Sequence, residues 1–476
     1  MKIRNAGLSL IGIMAIVCAA GCGGQTSNAN ANAAAETAAE TAASEESIMD
    51  TQETADSEPL FDDEASKLAL DTTIEETVLF DDGTVSVKAT ELTFRYNSPE
   101  LTLEIANNSD KKLKFLAGTL GYSLNSVNGI MVHTGYLNEE VGAGKTATEK
   151  VSFDANELMI CGISEISEIK MAIEIEGEDN QDYARTGPIS IPTSAYDKWD
   201  KNVNTYQKAL HSGVYAGAYD IDLIWEKEET FFEAENVSIV SAALVKNSYD
   251  ETSLLLELEN RSDKIIDVSF SDIEINGLVF HDGSWTGDMM DQHTRCIESI
   301  NINDVASYGG GSLEAMGISD ITSAGFSIEL EDENYNTLKI EDVKIVISGD
   351  GKPQEYTGEE VYNDHGIKVL KREIDDSDST YYNAVYLVSN DSDAQISVGL
   401  DYDSLSVNDK MTDFINYSLS LKPGKTGALN IKISKDDAGI NGITALSDIK
   451  NMEFVLQIKD ADSYTDIDTP TVKVTY

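Results

Sequence analysis

The sequence predicts an all-β protein: three tandem antiparallel β-sandwich domains with one short helical connector. Three observations carry that expectation. Landmarks recur three times at one spacing, apolar residues alternate with period two, and turn-forming residues separate the alternating runs.

The threefold landmarks come first. Acidic pairs stand at Glu75-Glu76, Glu228-Glu229 and Glu359-Glu360, and a strand-like run ending in Asn-x-Ser-Asp follows 32, 32 and 31 residues later, at Asn107–Asp110, Asn260–Asp263 and Asn390–Asp393. After another 55, 57 and 55 residues come Gly162-Ile-Ser-Glu-Ile166, Gly317-Ile-Ser-Asp-Ile321 and Ala445-Leu-Ser-Asp-Ile449. One unit repeated along the chain accounts for such spacing better than one large fold. The expected copies are residues 75–193, 228–349 and 358–476, with connectors at 194–227 and 350–357.

Within the copies, Leu101, Leu103 and Ile105 alternate with polar neighbours, as do Phe326, Ile328 and Leu330, and Met452, Phe454, Leu456 and Ile458. Alternation of this kind places one face of a strand on a core and the other in water. Asn, Asp, Gly and Ser punctuate the runs, and several short strands at regular intervals indicate a sandwich. Asn-x-Ser-Asp reads as a turn, since Asn and Asp bond their own backbone, and it offers too few oxygens for calcium. Asn128-Gly129 and Asn276-Gly277 are hairpin signals, with Asn408-Asp409 at the third position.

The connector at 194–227 is expected to be different. Ser194 stands as a helix cap, and Tyr196, Trp199, Val203, Tyr206 and Leu210 follow at helical spacing up to Gly213. A strand alternating Tyr215, Tyr219, Ile221, Leu223 and Trp225 comes next. The expected role is to pack against the flanking sandwiches and fix their angle. The sharper reading is a ligand platform of Tyr196, Trp199, Tyr206 and Trp225, because aromatic faces stack on sugars.

The chain opens on Lys2 and Arg4, an apolar stretch from Gly7 to Ala20, and small residues before Cys22. That is the pattern of a cleaved export signal, too short to span a bilayer comfortably. Ala19-Ala20-Gly21-Cys22 resembles a bacterial lipobox, which implies a signal over 1–22 and lipid attachment at Cys22. Residues 23–74 read as a disordered acidic tether, with thirteen acidic side chains against Lys67 alone from 23 to 75. Taken with the repeats, the chain resembles the bacterial, Gram-positive surface lipoproteins that carry tandem immunoglobulin-like domains. The resemblance implies an extracellular, membrane-anchored protein. The Cys…Trp…Cys core of true immunoglobulin domains is absent.

Chemistry is hard to find. With 85 acidic against 34 basic residues, the formal charge of −51 repels nucleic acid. Cys161 and Cys296 lie in different copies, so neither closes a disulfide within a domain. Gly144-Lys145-Thr146 and Gly424-Lys425-Thr426 imitate the end of a phosphate loop, but its earlier glycine is replaced by Glu139 and Leu419. His133 and His281 sit at matching places, with Asp413 in the third copy and no carboxylate at helpful spacing. No catalytic set, metal site or cofactor is expected. The role implied is a non-catalytic binding, adhesion or spacer module at the cell surface, facing a glycan or protein ligand. A solute-binding lipoprotein of a transporter and a surface hydrolase with an interdomain site are the alternatives.

Overall fold

The computed structural model describes residues 68–118, 124–177, 181–213, 215, 220–280, 285–309 and 311–476. Among the described residues strands take 54% and helices 8%, in antiparallel sheets that form sandwich modules, so the all-β class holds. Cys22, Tyr219, His281 and most of the acidic tether lie outside the described residues.

Each module sets a four-stranded first sheet against a second layer, which in module 1 is split between Asp182–Arg185, Glu174–Glu176, Leu113–Ala117, Leu137–Val141 and Ile189–Pro192, Glu168–Met171, Ser126–Val127, Ile130–Met131. The first sheet of module 1 runs Thr77–Asp81, Val85–Arg95, Ser98–Asn107, Lys145–Ser152 in spatial order. Module 2 repeats it with Ile221–Ala234, Val237–Asn247, Thr252–Asn260 and Thr294–Asn301, and module 3 with Glu359–Asp364, Ile367–Asp375, Tyr381–Asn390 and Thr426–Ser434. The alternating side chains do what their period demands. Leu101, Leu103 and Ile105 are buried, as are Phe454, Leu456 and Ile458. Each such side chain taken out of water contributes about 1.5–3 kcal/mol.

The Asn of each Asn-x-Ser-Asp landmark is fully buried. Asn107 Nδ2 donates to the carbonyls of Lys111 and Val141, and its Oδ1 accepts from the Ser109 N–H and hydroxyl. Asn260 and Asn390 repeat the set. The motif therefore does more than turn the chain: one amide ties the end of a strand to a neighbouring loop.

A second asparagine explains the third landmark. Asn128, Asn276 and Asn408 hold left-handed φ of 50°, 53° and 52° at their hairpin turns. Each Oδ1 accepts backbone N–H groups just past the third landmark, and each Nδ2 donates to a carbonyl of the landmark itself (Glu165, Asp320 and Asp448).

Among the described residues four helices interrupt the sheets: α1 (Ala155–Ile160), α2 (Thr205–His211), α3 (Ile302–Gly309) and α4 (Lys435–Ile440). Three of them are one per module, and sequence periodicity did not reveal them, because six to eight residues make barely two turns.

Three sequence expectations need correction. Residues 68–74 are not tether: Leu68 and Thr72 are buried, Ala69 N–H bonds the Ser164 carbonyl, and Ile74 bridges Thr193. The single helix from Ser194 is instead a short 3-10 turn, Tyr196–Lys198, followed by α2, which Asn204 caps. Asp200 and Asn204 bond nearby backbone N–H groups, which competes with continuous helix. The strand Ile221–Ala234 belongs to module 2 and runs through the expected boundary at 227/228. A register shift between Leu223 and Trp225 breaks the expected alternation there.

Candidate functional site

The strongest feature is what happens between modules. A short hairpin strand at the edge of module 1's second layer, Ile130–Met131, pairs in parallel with Thr294–Asn301 of module 2. Arg295 N–H donates to the Gly129 carbonyl at 2.9 Å. The same device recurs at the next junction, where Leu278–Val279 pairs in parallel with Thr426–Ser434, Leu278 opposite Thr426 and Val279 opposite Gly427. Among the described residues two continuous sheets result, of eight and nine strands, each crossing a junction. Hereafter the hairpin strand is the donor and its partner the acceptor.

Side chains join as well. Ala243, Val245, Leu255 and Ile297, on the outer face of module 2's first sheet, belong to the core of module 1. Val385, Leu387 and Ala428 of module 3 belong to that of module 2. Lys170 pairs with Asp291 across the first junction at 3.1 Å, and Lys422 with Asp272 across the second at 2.8 Å. Lys425 reaches Glu274 beside it.

The connector is locked into the first junction by Glu257, which is 1% exposed. Its carboxylate accepts from Asn204 Nδ2 at 2.6 Å, Gln207 Nε2 and Ser241 Oγ at 2.7 Å, and Arg295 at 3.2 Å. Gly162, with φ +73°, lets the chain pass against α2; a Cβ there would meet the Thr205 carbonyl at 2.0 Å. At the second junction Gln354 bonds the Asn276 and Gly317 carbonyls, and Pro353 lies over Gly277.

The four aromatic residues of the expected platform do not converge. Tyr206 is buried in the core of module 1, and burial pushes its hydroxyl pKa up. Trp225 packs, half-buried, on the core of module 2. Tyr196 and Trp199 do meet, edge to face with centroids 6.2 Å apart. Lys201 lies 4.8 Å from each ring, and a hydrogen bond to the Tyr196 hydroxyl raises its pKa, so it stays charged. Trp199 lines a groove of about 370 Å³ at the Asn128-Gly129 turn, together with Glu168, Lys170, Lys201, Arg261 and Arg295.

One carboxylate missed in the sequence appears beside His133. Glu157, on α1, accepts from the His133 backbone N–H at 2.7 Å and the Thr134 hydroxyl at 2.6 Å, with His133 Nδ1 at 3.2 Å. Cys161 lines the same small cavity. Burial pushes its thiol pKa far up, so no thiolate is available as a nucleophile. Glu157 thus ties a helix to a strand end. Among the described residues no three His, Cys, Asp or Glu side chains converge as metal ligands, and no helix is long and apolar enough to cross a membrane.

No family model matches this sequence, and no curated protein does. Among solved structures, the exo-chitosanase CsxA of Amycolatopsis orientalis aligns at 8% identity over 83% of this chain and 79% of its own, with a TM-score of 0.17. The red sea bream transglutaminase aligns at 9% identity over 58% of this chain, with a TM-score of 0.14; the alignment spans 31% of the transglutaminase. Similarity at that level carries no argument about this protein.

Proposed function

We propose that the chain is a lipid-anchored extracellular protein whose sandwich array serves as a non-catalytic binding and spacing module. The observation that carries this reading is the junction device, repeated at both boundaries: parallel strand pairing, a shared core and crossing ion pairs. Independent catalytic domains have no need to merge their sheets. A structure that must hold a surface at a fixed place does. Anchoring rests on the lipobox-like Ala19-Ala20-Gly21-Cys22, and lipid attachment there follows from that resemblance.

The groove at the first junction is the binding place we assign. Trp199 supplies an apolar stacking face, while Lys201 and Arg295 supply donors for hydroxyl or carboxylate oxygens. That combination suits a glycan better than a basic peptide. A screen of the protein against glycans and cell-wall fragments tests it. The expected result is a carbohydrate hit abolished by Trp199→Ala and kept by Trp225→Ala. A blank screen, or a hit indifferent to Trp199, would remove the binding half of the reading and leave spacing alone.

A further inference from the structure

The Gly-Lys-Thr sequence occurs twice, and the two copies meet different fates. Gly424-Lys425-Thr426 opens the acceptor strand of module 3, where Lys425 binds Glu274 and Thr426 pairs with Leu278. Gly144-Lys145-Thr146 opens the equivalent strand of module 1, fixed by the pairing of Asn107 with Lys145. Yet Lys145–Ser152 is the last strand of its sheet, and its outer edge meets no other strand among the described residues. Lys145 and Thr146 are exposed.

The opposite end of the array mirrors this. Module 3 builds the donor hairpin Ser406–Val407 and Lys410–Met411, and Lys410–Met411 is likewise the last strand of its sheet. Met411 is 60% exposed, whereas Met131 and Val279 at the same position are buried. Ile440 at the end of α4 is 84% exposed, whereas its counterpart Ile160 on α1 is 6% exposed beneath module 2. Among the described residues no strand pairs with this acceptor edge or this donor edge, where Asn441 Nδ2 alone bonds the Met411 carbonyl, and each edge belongs to a type that the chain joins twice internally.

We propose that the open edges pair between copies of this chain, Lys410–Met411 of one copy adding in parallel beside Lys145–Ser152 of another. In the register of the internal junctions, Thr146 takes the place of Arg295 and Thr426, and Ala147 that of Cys296 and Gly427. A Cβ on Gly427 would meet the Val279 carbonyl at 2.9 Å, but the first junction carries Cys296 at that position, and Ala147, smaller than Cys296, follows the first junction. Such a contact is heterologous, so it propagates from copy to copy, into a ring where the rotation closes and an open chain where it does not.

Two features make the contact weaker than the internal ones. Lys410 stands where Ile130 and Leu278 stand, a charge of the kind that blunts sheet edges. Thr102 and Thr148 occupy the outer face where module 2 presents Leu255 and Ile297. The pairing is reversible and depends on concentration, and salt that screens the shared negative charge strengthens it.

Sedimentation velocity of the mature chain carrying Cys22→Ser, at rising concentration in physiological salt, tests this. The expected result is a sedimentation coefficient that climbs with concentration for the parent. It stays flat for Thr146→Pro, which removes the N–H at the position where Arg295 donates, and flat for Met411→Glu. Mixing the two variants restores association but stops it at dimers. A parent that remains monomeric overturns the proposal, as does association that survives Thr146→Pro. Should Thr146→Pro fail to fold, a Thr146→Cys copy and a Lys410→Cys copy are treated together with a short thiol cross-linker. Heterodimers then form only in the mixture, and their absence is equally decisive against the pairing.

Discussion

Replacing Glu257 by Ala should loosen the first junction selectively. Four donors converge on this carboxylate: Asn204, Gln207, Ser241 and Arg295. Ser241 is 3% exposed and cannot turn to bulk water, and Arg295 keeps Glu259 as its other partner. Removing one member of a buried charged set costs about 3–5 kcal/mol, well above the ~1 kcal/mol of an ordinary hydrogen bond. Glu257→Gln keeps the shape and one acceptor oxygen, so about 1–2 kcal/mol is expected. Hydrogen exchange followed by mass spectrometry reads the difference locally. Protection in Thr205–His211 should fall about a hundredfold or more in Glu257→Ala, while Tyr381–Asn390 of module 3 stays as in the parent. Unchanged protection at α2 would refute the locking role.

Three further perturbations probe other parts of the design. Gly162→Ala and Gly442→Ala place the same change at equivalent left-handed positions, φ +73° and +85°, but only Gly162 faces a backbone carbonyl. Thermal unfolding should show about 1–2 kcal/mol lost for Gly442→Ala and about 3 kcal/mol or more for Gly162→Ala, and equal losses would contradict the close approach. Asn390→Ala strands the Ala394 and Leu421 carbonyls and should cost about 2–4 kcal/mol by urea denaturation; a loss below 1 kcal/mol (about the value of one hydrogen bond) would reduce the motif to a simple turn. Asp375 concerns pH. Burial raises its pKa, but N–H donation from Ser377 and from Ser312 across the second junction prevails and lowers it. Its stabilising effect is therefore complete above the ordinary carboxyl range and is lost as pH falls from about 4 through the lowered value. Asp375→Asn should flatten that part of the acid titration, and an identical acid limb in both proteins would contradict it.

Much of the architecture was legible because its determinants are local. Leu101, Leu103 and Ile105 announce a half-buried strand by themselves, and Asn128-Gly129 announces a hairpin. What stayed hidden was long-range. Ile130 and Leu278 look like ordinary hairpin residues, and nothing in two-residue strands signals a parallel partner about 150 residues away. Glu257 sits mid-strand among Leu254, Leu255, Leu256 and Leu258, where an acid looks solvent-facing until the connector arrives above it. The partner of His133 came from α1, a helix too short to register as periodic. Aromatic spacing from Tyr196 to Leu210 suggested one face, but Asp200 and Asn204 broke the helix that would have assembled it.

Whether the modules are held rigidly by their merged sheets is tested most directly by a distance across both junctions. Spin labels at Thr148→Cys in module 1 and Lys473→Cys in module 3 would report it by pulsed electron paramagnetic resonance, with the native Cys161 and Cys296 thiols buried out of reach. A single narrow distance distribution is the expected result, unchanged from low to high salt. A broad distribution, as for beads on a flexible string, would contradict the merged-sheet account.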